Sequence, residues 1–313
     1  MRLPLFISLS VDITLQTKSQ AWLHAIRLRT LPLALASIFM ASFIAYFHGL
    51  FRWEVAALAA LTTTLIQILS NLANDYGDSI HGADSADRKG PIRAVQSGVI
   101  KPEEMKKAMI LLAVISFFCG LALLYFAINT WTTFFAFLAI GILSIIAAIN
   151  YTSGSNPYGY MGLGDISVFI FFGLVGVFGV YYLHTMSFST SVILPAISLG
   201  LFSASVLNIN NIRDIDSDAK AGKKSIPVRI GRTKAVIYNW SLVIIGNLAL
   251  IGFAWLESAP GALWALVVFP RMFYIAYQVQ AKTSSEELDP YLKKMALATL
   301  LWVMIFGAGL ILL

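Results

Sequence analysis

The chain carries Asn71-Leu-Ala-Asn-Asp75-Tyr-Gly-Asp78 at the end of one long apolar run and Asn210-Asn-Ile-Arg213-Asp214-Ile-Asp-Ser-Asp218 at the end of another. Carboxylates at the edge of a hydrocarbon layer cost free energy unless they are paired or bind a metal. The two acidic stretches therefore predict a functional site, and the apolar runs before them predict a membrane protein.

Composition agrees with a membrane protein. Of the 313 residues, 58% are hydrophobic and 12% are charged, whereas soluble domains carry about 25% charged residues. A bilayer-spanning helix needs roughly 20 mainly apolar residues, and the runs are continuously apolar, which excludes the alternating strands of a membrane barrel. We predict an all-α bundle with nine transmembrane helices, over residues 31–48, 55–74, 108–128, 131–150, 163–183, 191–209, 235–256, 261–279 and 293–313.

Two further features concern organisation. We interpret residues 1–20 as an N-terminal extension and residues 21–313 as one membrane-embedded domain. The spacing from Asn71 to Asp75 recurs from Asn210 to Asp214, and both pairs are followed by a Pro-x-Arg triplet at a similar offset. This weak internal symmetry predicts a pseudo-repeat of two four-helix units with a ninth helix appended.

The basic residues predict the orientation. Lysine and arginine concentrate before the first run and in the connections that follow the second, sixth and eighth runs, whereas the opposite connections contribute only Arg52. Because basic residues favour the cytoplasmic side, we predict a cytoplasmic N-terminus and both acidic stretches on the cytoplasmic face of the cell membrane. The formal net charge of +6 favours contact with anionic lipid or an anionic substrate.

The spacing of the acidic stretches indicates metal and diphosphate chemistry. Each stretch predicts three side chains on one helical face, namely Asn71, Asp75 and Asp78 in the first and Asn211, Asp214 and Asp218 in the second. Mg²⁺ is usually held by one or two carboxylates together with phosphate oxygens, so two facing stripes can clamp a diphosphate. The alternative is a solvated charged loop, which the matched spacing and the shared predicted side disfavour.

Cations accompany both acidic stretches, and guanidinium or ammonium groups stabilise the charge of a leaving diphosphate. They are Arg88, Lys89 and Arg93 after the first stretch, and Arg213, Lys223 and Lys224 beside the second.

A third polar segment lies between the fourth and fifth predicted helices. Tyr151, Tyr158 and Tyr160 have electron-rich ring faces that can stabilise a cation, and Asp165 stands at the start of the next helix. The alternative is an aromatic belt at the membrane interface.

At these residues the chain is similar to the UbiA-type membrane prenyltransferases, a family with nine transmembrane helices and two aspartate-rich motifs. Within that family the motifs resemble the branch that acts on 1,4-dihydroxy-2-naphthoate. Gly82 stands where many relatives that act on 4-hydroxybenzoate carry a further aspartate, which favours the naphthoate branch. The resemblance also includes Gly82-Ala-Asp84, Asp87-Arg88-Lys-Gly90-Pro91-x-Arg93 and Tyr158-Gly-Tyr160-x-Gly-x-Gly-Asp165.

The resemblance implies a reaction in which Mg²⁺, as two ions, helps an allylic polyprenyl diphosphate to ionise. The prenyl cation then alkylates the dihydroxynaphthoate ring with loss of carbon dioxide, giving demethylmenaquinone and diphosphate. The implied metal site is Asn71, Asp75, Asp78, Asn210, Asp214 and Asp218. The implied diphosphate contacts are Arg88, Lys89, Arg93, Arg213 and Lys223, and the implied wall for the acceptor or the cation is Asn74, Tyr151, Tyr158, Tyr160 and Asp165.

Other functions stay open at this point. The expected partners are the two substrates and the lipid bilayer, with no nucleic acid and no obligate protein partner. A prenyltransferase with 4-hydroxybenzoate or homogentisate as acceptor fits the same motifs. An ion-coupled transporter of an anionic solute shares the helix number, but it would be expected to place charges near the bilayer midplane. A phosphatidyltransferase is disfavoured because its paired-aspartate motif differs from the asparagine-led spacing.

Overall fold

The computed structural model of this protein describes residues 17–80 and 93–313. Within these residues, nine helical segments are long and apolar enough to cross a membrane. The protein is therefore a multi-pass membrane protein, and the predicted nine-helix bundle is confirmed. The segments are Lys18–Phe47, Trp53–Ile80, Pro102–Ala127, Trp131–Asn150, Gly164–Thr185, Thr190–Arg213, Ile226–Leu256, Pro260–Ala281 and Ser285–Leu312.

Several of these spans combine shorter helices. In chain order the α-helices are α1 (Lys18–Ile26), α2 (Leu31–Phe47), α3 (Trp53–Ile80), α4 (Pro102–Ala127), α5 (Trp131–Asn150), α6 (Gly164–Val168), α7 (Val180–Thr185), α8 (Ile193–Arg213), α9 (Ile215–Lys220), α10 (Ile226–Leu256), α11 (Phe269–Ala281) and α12 (Ser285–Leu312). A π-helical segment, Phe169–Gly179, joins α6 to α7, and 3₁₀ turns complete the first, sixth and eighth spans at Leu28–Thr30, Thr190–Val192 and Pro260–Val268.

The helix ends differ from the predicted ends. Helix α3 continues to Ile80, beyond the predicted end of the span at residue 74, so the whole first acidic stretch lies on the helix. Helical structure begins at Ile226 in the seventh span, with non-helical φ and ψ angles at Gly231, and at Ser285 in the ninth. The prediction counted apolar residues, whereas helices extend beyond the hydrocarbon core into the interfacial region, which tolerates charge.

The main core lies mostly in the second half of the chain, and α2 adds Ile38, Met40 and Ile44 to it. Helix α8 packs against α10, α12 and the π-helical segment. Phe202 of α8 meets Trp302 of α12 edge to face, with ring centroids 5.2 Å apart, and the buried Trp302 indole donates to Asn247 Oδ1 at 3.1 Å. Helix α5, by contrast, packs mainly on α3 and α4 and is largely exposed. One side of the bundle is therefore open to the surrounding lipid.

A close backbone contact places the connection after α5 onto α3. A Cβ atom on Gly77 would lie 2.4 Å from the Thr152 carbonyl oxygen, so only glycine permits this approach. Thr152 Oγ1 donates to the Ala73 carbonyl at 3.0 Å and lies 2.9 Å from Asn74 Oδ1. The tyrosine-rich segment is thereby fixed beside the first acidic stretch.

The N-terminal division stays a prediction. Residues 1–16 lie outside the described part of the chain. Helix α1 begins at Lys18, three residues before the predicted boundary, and Lys18 Nζ lies 2.6 Å from Glu104 Oε1.

Candidate active site

One cavity of about 690 Å³ collects the predicted site. Its polar part is lined by Asn71, Asn74, Asp75, Asp78, Arg93, Tyr151, Tyr158, Tyr160, Asp165, Asn210, Asn211, Arg213, Asp214, Asp218 and Lys223. Of the predicted cations, Lys224 is exposed and does not line the cavity. Arg88 and Lys89 lie outside the described residues. The remainder of the cavity is largely apolar, with Phe117, Phe137 and Phe172 in its wall. The cavity suits a ligand with a polar head and an apolar tail.

Lys223 connects the two acidic stretches. Its Nζ lies 3.2 Å from Asp78 Oδ1 and 3.5 Å from Asp218 Oδ1. The same ammonium group lies 4.8 Å from the centroid of the Tyr160 ring. The prediction that both stretches share one end of the bundle is therefore correct.

Asp78 is the point where the three predicted polar segments meet. Arg93 Nη1 donates to Asp78 Oδ2, and the Tyr160 hydroxyl donates to Asp78 Oδ1 at 2.7 Å. Arg93 Nη1 also donates to the Asn74 carbonyl at 2.9 Å. The charge of this buried carboxylate is thus compensated by Arg93 and Lys223.

Asp75 has one oxygen without a partner. Its Oδ2 accepts from the Ala94 amide at 3.2 Å, while the buried Oδ1 has no hydrogen-bond partner in the described structure. The residue is only 2% exposed, and a buried polar atom without a partner is costly. Oδ1 is therefore a ready position for a ligand that donates a proton or carries positive charge.

The second acidic stretch has a different geometry from the prediction. Helix α8 ends at Arg213, and Asp214 stands between α8 and α9 with φ −99° and ψ 14°. Asp214 and Asp218 therefore do not lie on one continuous helix, although both face the cavity. The break is a single residue, and the Asp218 amide still donates to the Asp214 carbonyl at 2.8 Å.

Arg213 is paired with carboxylates. Its Nε donates to Asp214 Oδ1 at 2.8 Å and its Nη2 to Asp214 Oδ2 at 2.5 Å, which is a bidentate pair. Its Nη1 donates to Asp289 Oδ1 at 2.5 Å. In this conformation Arg213 neutralises acids around the cavity, whereas the sequence predicted a contact with diphosphate.

Asn71 and Asn210 form hydrogen bonds with neighbouring residues of the site. Asn71 Nδ2 donates to the Ile26 carbonyl at 2.8 Å and to Thr30 Oγ1 at 2.9 Å, which fixes α3 to the turn after α1. Asn210 Oδ1 accepts from Arg213 Nη2 at 3.0 Å. Their predicted role as metal ligands stays a prediction.

Two side chains that lie outside the membrane-spanning segments have pKa values shifted by burial. Burial raises the pKa of Asp218 to about 6, and the neighbouring Lys223 acts in the opposite direction. Burial also raises the pKa of Tyr151 far above its ordinary value, and nearby Asp165 adds to the shift. Tyr151 is therefore a neutral phenol at physiological pH and offers its ring rather than a base.

The tyrosine wall is tightly bonded. Tyr151 and Tyr158 meet edge to face with centroids 5.4 Å apart. The Tyr158 hydroxyl donates to the Ala147 carbonyl at 2.9 Å and lies 3.0 Å from Ser167 Oγ. Because the hydroxyls are occupied or buried, the rings present a rigid apolar and electron-rich surface.

Some site residues escaped the sequence analysis. Tyr238 of α10 donates to Asp165 Oδ1 at 3.3 Å, and no sequence signal connects these two positions. Arg27, which has the left-handed φ of 53°, lines the cavity from the end of α1. Asp289, which pairs with Arg213, had a signal: it is an acid at the start of the ninth span, on the predicted cytoplasmic side.

The side chains of the cavity do not form a complete Mg²⁺ site without further ligands. In residues 17–80 and 93–313, no three His, Cys, Asp or Glu side chains are grouped closely enough to hold an ion. Mg²⁺, however, commonly takes one or two carboxylates and completes its shell with water and substrate phosphate. The open Asp75 Oδ1 and the second acidic stretch fit such a substrate-completed site.

These features define the class as a multi-pass helical membrane protein with a cavity for an amphipathic ligand. The profile of the UbiA prenyltransferase family matches residues 34–311, and the chain belongs to this family.

The comparisons also identify full-length relatives. The 1,4-dihydroxy-2-naphthoate octaprenyltransferase of Haemophilus influenzae is 45% identical over 94% of this chain and 96% of that protein. The enzyme of the same name from Escherichia coli strain K12 is 44% identical over 95% of this chain and 96% of that protein. A UbiA homolog from Archaeoglobus fulgidus, solved with GPP and Mg²⁺, is 17% identical, with a TM-score of 0.60 over 91% of this chain and 99% of that one. The last similarity concerns the fold.

Proposed function

We propose that this protein transfers a polyprenyl group from polyprenyl diphosphate to 1,4-dihydroxy-2-naphthoate, with loss of carbon dioxide and diphosphate, to give demethylmenaquinol, the hydroquinone form of demethylmenaquinone. The observation that carries the proposal is the convergence of both acidic stretches on Lys223 beside a largely apolar cavity. The choice of acceptor is supported by the near full-length similarity to two naphthoate octaprenyltransferases.

The donor would bind with its diphosphate between the two acidic stretches and its prenyl chain along the apolar part of the cavity. A cavity of about 690 Å³ is of the size that holds a drug-sized molecule, so a long polyprenyl chain must leave it. The exit lies beside α5, because α5 makes few contacts with the fifth span although both line the cavity. The rest of the polyprenyl chain would then lie in the lipid bilayer.

Magnesium, proposed as two ions, would be held by Asp75 and Asp78 on one side and by Asp214 and Asp218 on the other, with Asn71 and Asn210 as further oxygen ligands. Bound Mg²⁺ supplies Lewis-acid chemistry that neutralises charge on the leaving diphosphate. The A. fulgidus homolog bound to GPP and Mg²⁺ supports the use of this metal.

The cations of the chain would stabilise the same negative charge as it develops. Lys223 and Arg93 already lie against Asp78 at the polar end, so a diphosphate there meets fixed ammonium and guanidinium groups. Arg213 would join them from the second stretch. Arg88 and Lys89 are proposed as further contacts on the basis of the sequence.

The wall of Tyr151 and Tyr158 would face the prenyl cation. Neutral aromatic faces stabilise a cation without a carboxylate that would trap it. Asn74, Tyr160 and Asp165 line the same part of the cavity and would orient the acceptor ring. Because Tyr238 donates to Asp165, the position of this carboxylate is fixed before the acceptor binds.

The site is proposed to face the cytoplasm at the cell membrane. The support is the concentration of lysine and arginine in the connections on the side of the acidic stretches, since basic residues favour the cytoplasmic side. No nucleic-acid or obligate protein partner is proposed.

A radiolabel assay with the purified protein in detergent tests this function. Labelled polyprenyl diphosphate and Mg²⁺ are supplied with 1,4-dihydroxy-2-naphthoate, 4-hydroxybenzoate or homogentisate in parallel, and each reaction is repeated with a chelator. We expect label in a quinone-type lipid only with the naphthoate and only with free metal. Transfer to another acceptor would overturn the choice of acceptor, and no transfer to any of them would overturn the proposed reaction.

A further inference from the structure

Asp289 is a carboxylate of the ninth span that contacts two arginines of the cavity wall, Arg213 and Arg29. It lies in the second turn of α12, and its Oδ1 accepts from Arg213 Nη1 at 2.5 Å. Arg29 Nη1, from the turn after α1, lies 3.5 Å from the same oxygen. Asp289 thus pairs with the same arginine that pairs with Asp214. Asp289 itself is not one of the predicted metal ligands.

A cation that binds Asp214 would change which of its two carboxylate partners, Asp214 or Asp289, Arg213 contacts. It occupies both oxygens of Asp214, and its side chain is only 2% exposed. A divalent ion that binds Asp214 competes with the guanidinium for these oxygens. A buried arginine without a counter-charge is costly, so Asp214 is released easily only if another carboxylate retains Arg213.

We propose that Asp289 is a positioning residue that retains Arg213 while Asp214 turns its oxygens toward a metal and diphosphate. The inference rests on the proposed function, because it assumes that Asp214 serves a Mg²⁺–diphosphate complex. Without the Asp289 charge, Arg213 keeps its contacts with Asn210 and Asp214 but has lost a carboxylate partner, so it competes more strongly with the ion for Asp214. Asp289 therefore sets how much Mg²⁺ the site requires rather than how fast the bound complex reacts.

A purely structural role has to be separated from this one. Ser285 of α12 also contacts Arg213, since its Oγ donates to the Arg213 carbonyl at 2.8 Å. Ser285→Ala therefore weakens the docking of α12 without changing charge. Glu287→Gln removes one negative charge from the preceding turn of α12, where Glu287 pairs with Lys282 at 2.9 Å instead of Arg213. These variants are matched controls for docking and for charge.

The test measures Mg²⁺ binding in the full-length protein in detergent. Thermal unfolding is followed against Mg²⁺ concentration with inorganic pyrophosphate present, and the Mg²⁺ dependence of prenyl transfer is measured separately. For Asp289→Asn we expect the half-saturating Mg²⁺ concentration to rise about tenfold, the scale expected for loss of one charge near a divalent ion in a partly hydrated site. The transfer rate at saturating Mg²⁺ should change little, and both controls should keep the wild-type midpoint.

Several results would overturn the inference. These are a wild-type Mg²⁺ midpoint for Asp289→Asn, an equal loss of rate at every Mg²⁺ concentration, or an equal midpoint shift for Ser285→Ala. If Asp289→Asn does not fold, Asp289→Glu retains the charge and must keep the wild-type midpoint. If only the proposed reaction is wrong, the wild-type protein still binds Mg²⁺ with pyrophosphate, and the titration still tests Asp289. If the wild-type protein binds no Mg²⁺ with pyrophosphate, both the proposed function and this inference are overturned.

Discussion

Lys223 forms an ion pair with Asp78, with 3.2 Å between Nζ and Oδ1, although Asp78 lies in the last turn of the second span and Lys223 follows the sixth. The pair joins the first and second halves of the chain at the polar end of one cavity. Since Asp218 lies 3.5 Å from the same ammonium group, one cation neutralises carboxylates from both acidic stretches. The cavity thus holds acids and bases side by side, as the proposed metal–diphosphate site requires.

Removal of the Lys223 charge should lower the catalytic efficiency with polyprenyl diphosphate. For Lys223→Gln we expect kcat/KM for polyprenyl diphosphate to fall about 100-fold, since a charged hydrogen bond is worth up to about 3 kcal/mol. Steady-state kinetics with varied donor measures the loss. Lys224→Gln is the matched control, because the neighbouring Lys224 is exposed and should retain nearly full activity. Equal losses in the two variants would refute a specific role for Lys223.

The buried and exposed acids of α9 should differ in their effect. Asp218 is buried and lines the cavity, whereas Asp216 is exposed in the same short helix. Asp218→Asn should lower the prenyl transfer rate by about 1,000-fold, or about 4 kcal/mol of barrier, and Asp216→Asn should change it little. Transfer assays with both variants, checked by thermal unfolding for intact folding, make the comparison. Retention of more than about a tenth of the activity by Asp218→Asn would contradict its assignment.

Acid should weaken metal binding through Asp218. Its pKa of about 6 means that the carboxylate becomes protonated as the pH falls through 6, and a proton on a ligand competes with a metal ion. We expect the half-saturating Mg²⁺ concentration to be constant above about pH 7 and to rise toward tenfold per pH unit below about pH 5. Thermal-shift titrations at a series of pH values measure this dependence. Asp218→Asn should lose it, and an unchanged pH dependence in that variant would assign the effect to another group.

A side chain at Gly141 should restrict the prenyl chain. Gly141 of α5 lines the apolar part of the cavity, and a Cβ atom there would meet no atom within 4 Å in the described structure. Gly141→Leu should therefore fold normally and fill space that a long chain needs. We expect the kcat/KM ratio of octaprenyl to geranyl diphosphate to fall about tenfold, the scale of small changes in an apolar pocket.

The matched control for Gly141→Leu lies two residues earlier on the same helix. Ala139 is exposed and does not belong to the cavity wall, so Ala139→Leu adds bulk on the lipid side. This variant should keep the wild-type ratio. A similar change in both variants would indicate a general effect on α5 and would contradict a chain path beside Gly141.

Much of the architecture was predictable because its causes are local. Continuous apolar runs give the number of spans, and the distribution of basic residues placed both acidic stretches at one end of the bundle, where Lys223 joins them. The i, i+4, i+7 spacing from Asn71 to Asp78 correctly predicted one helical face, because α3 continues to Ile80.

The remaining details depend on contacts between distant segments. The break at Asp214, where α8 ends, separates residues that regular helical spacing would have aligned. The contact of Arg213 with Asp289 requires α12 to dock at that point, and the Asp165–Tyr238 bond joins α6 to α10. No periodicity within a single segment encodes such pairings.

The central claim is that the two acidic stretches form one site, and a double-mutant cycle tests it most directly. Mg²⁺-dependent binding of geranyl diphosphate is measured for the wild type, Asp75→Asn, Asp218→Asn and the double variant. Residues that act as one unit show strongly non-additive losses, so we predict that the double variant binds no more weakly than the weaker single variant. Losses that multiply in the double variant would show two independent sites and would contradict the account.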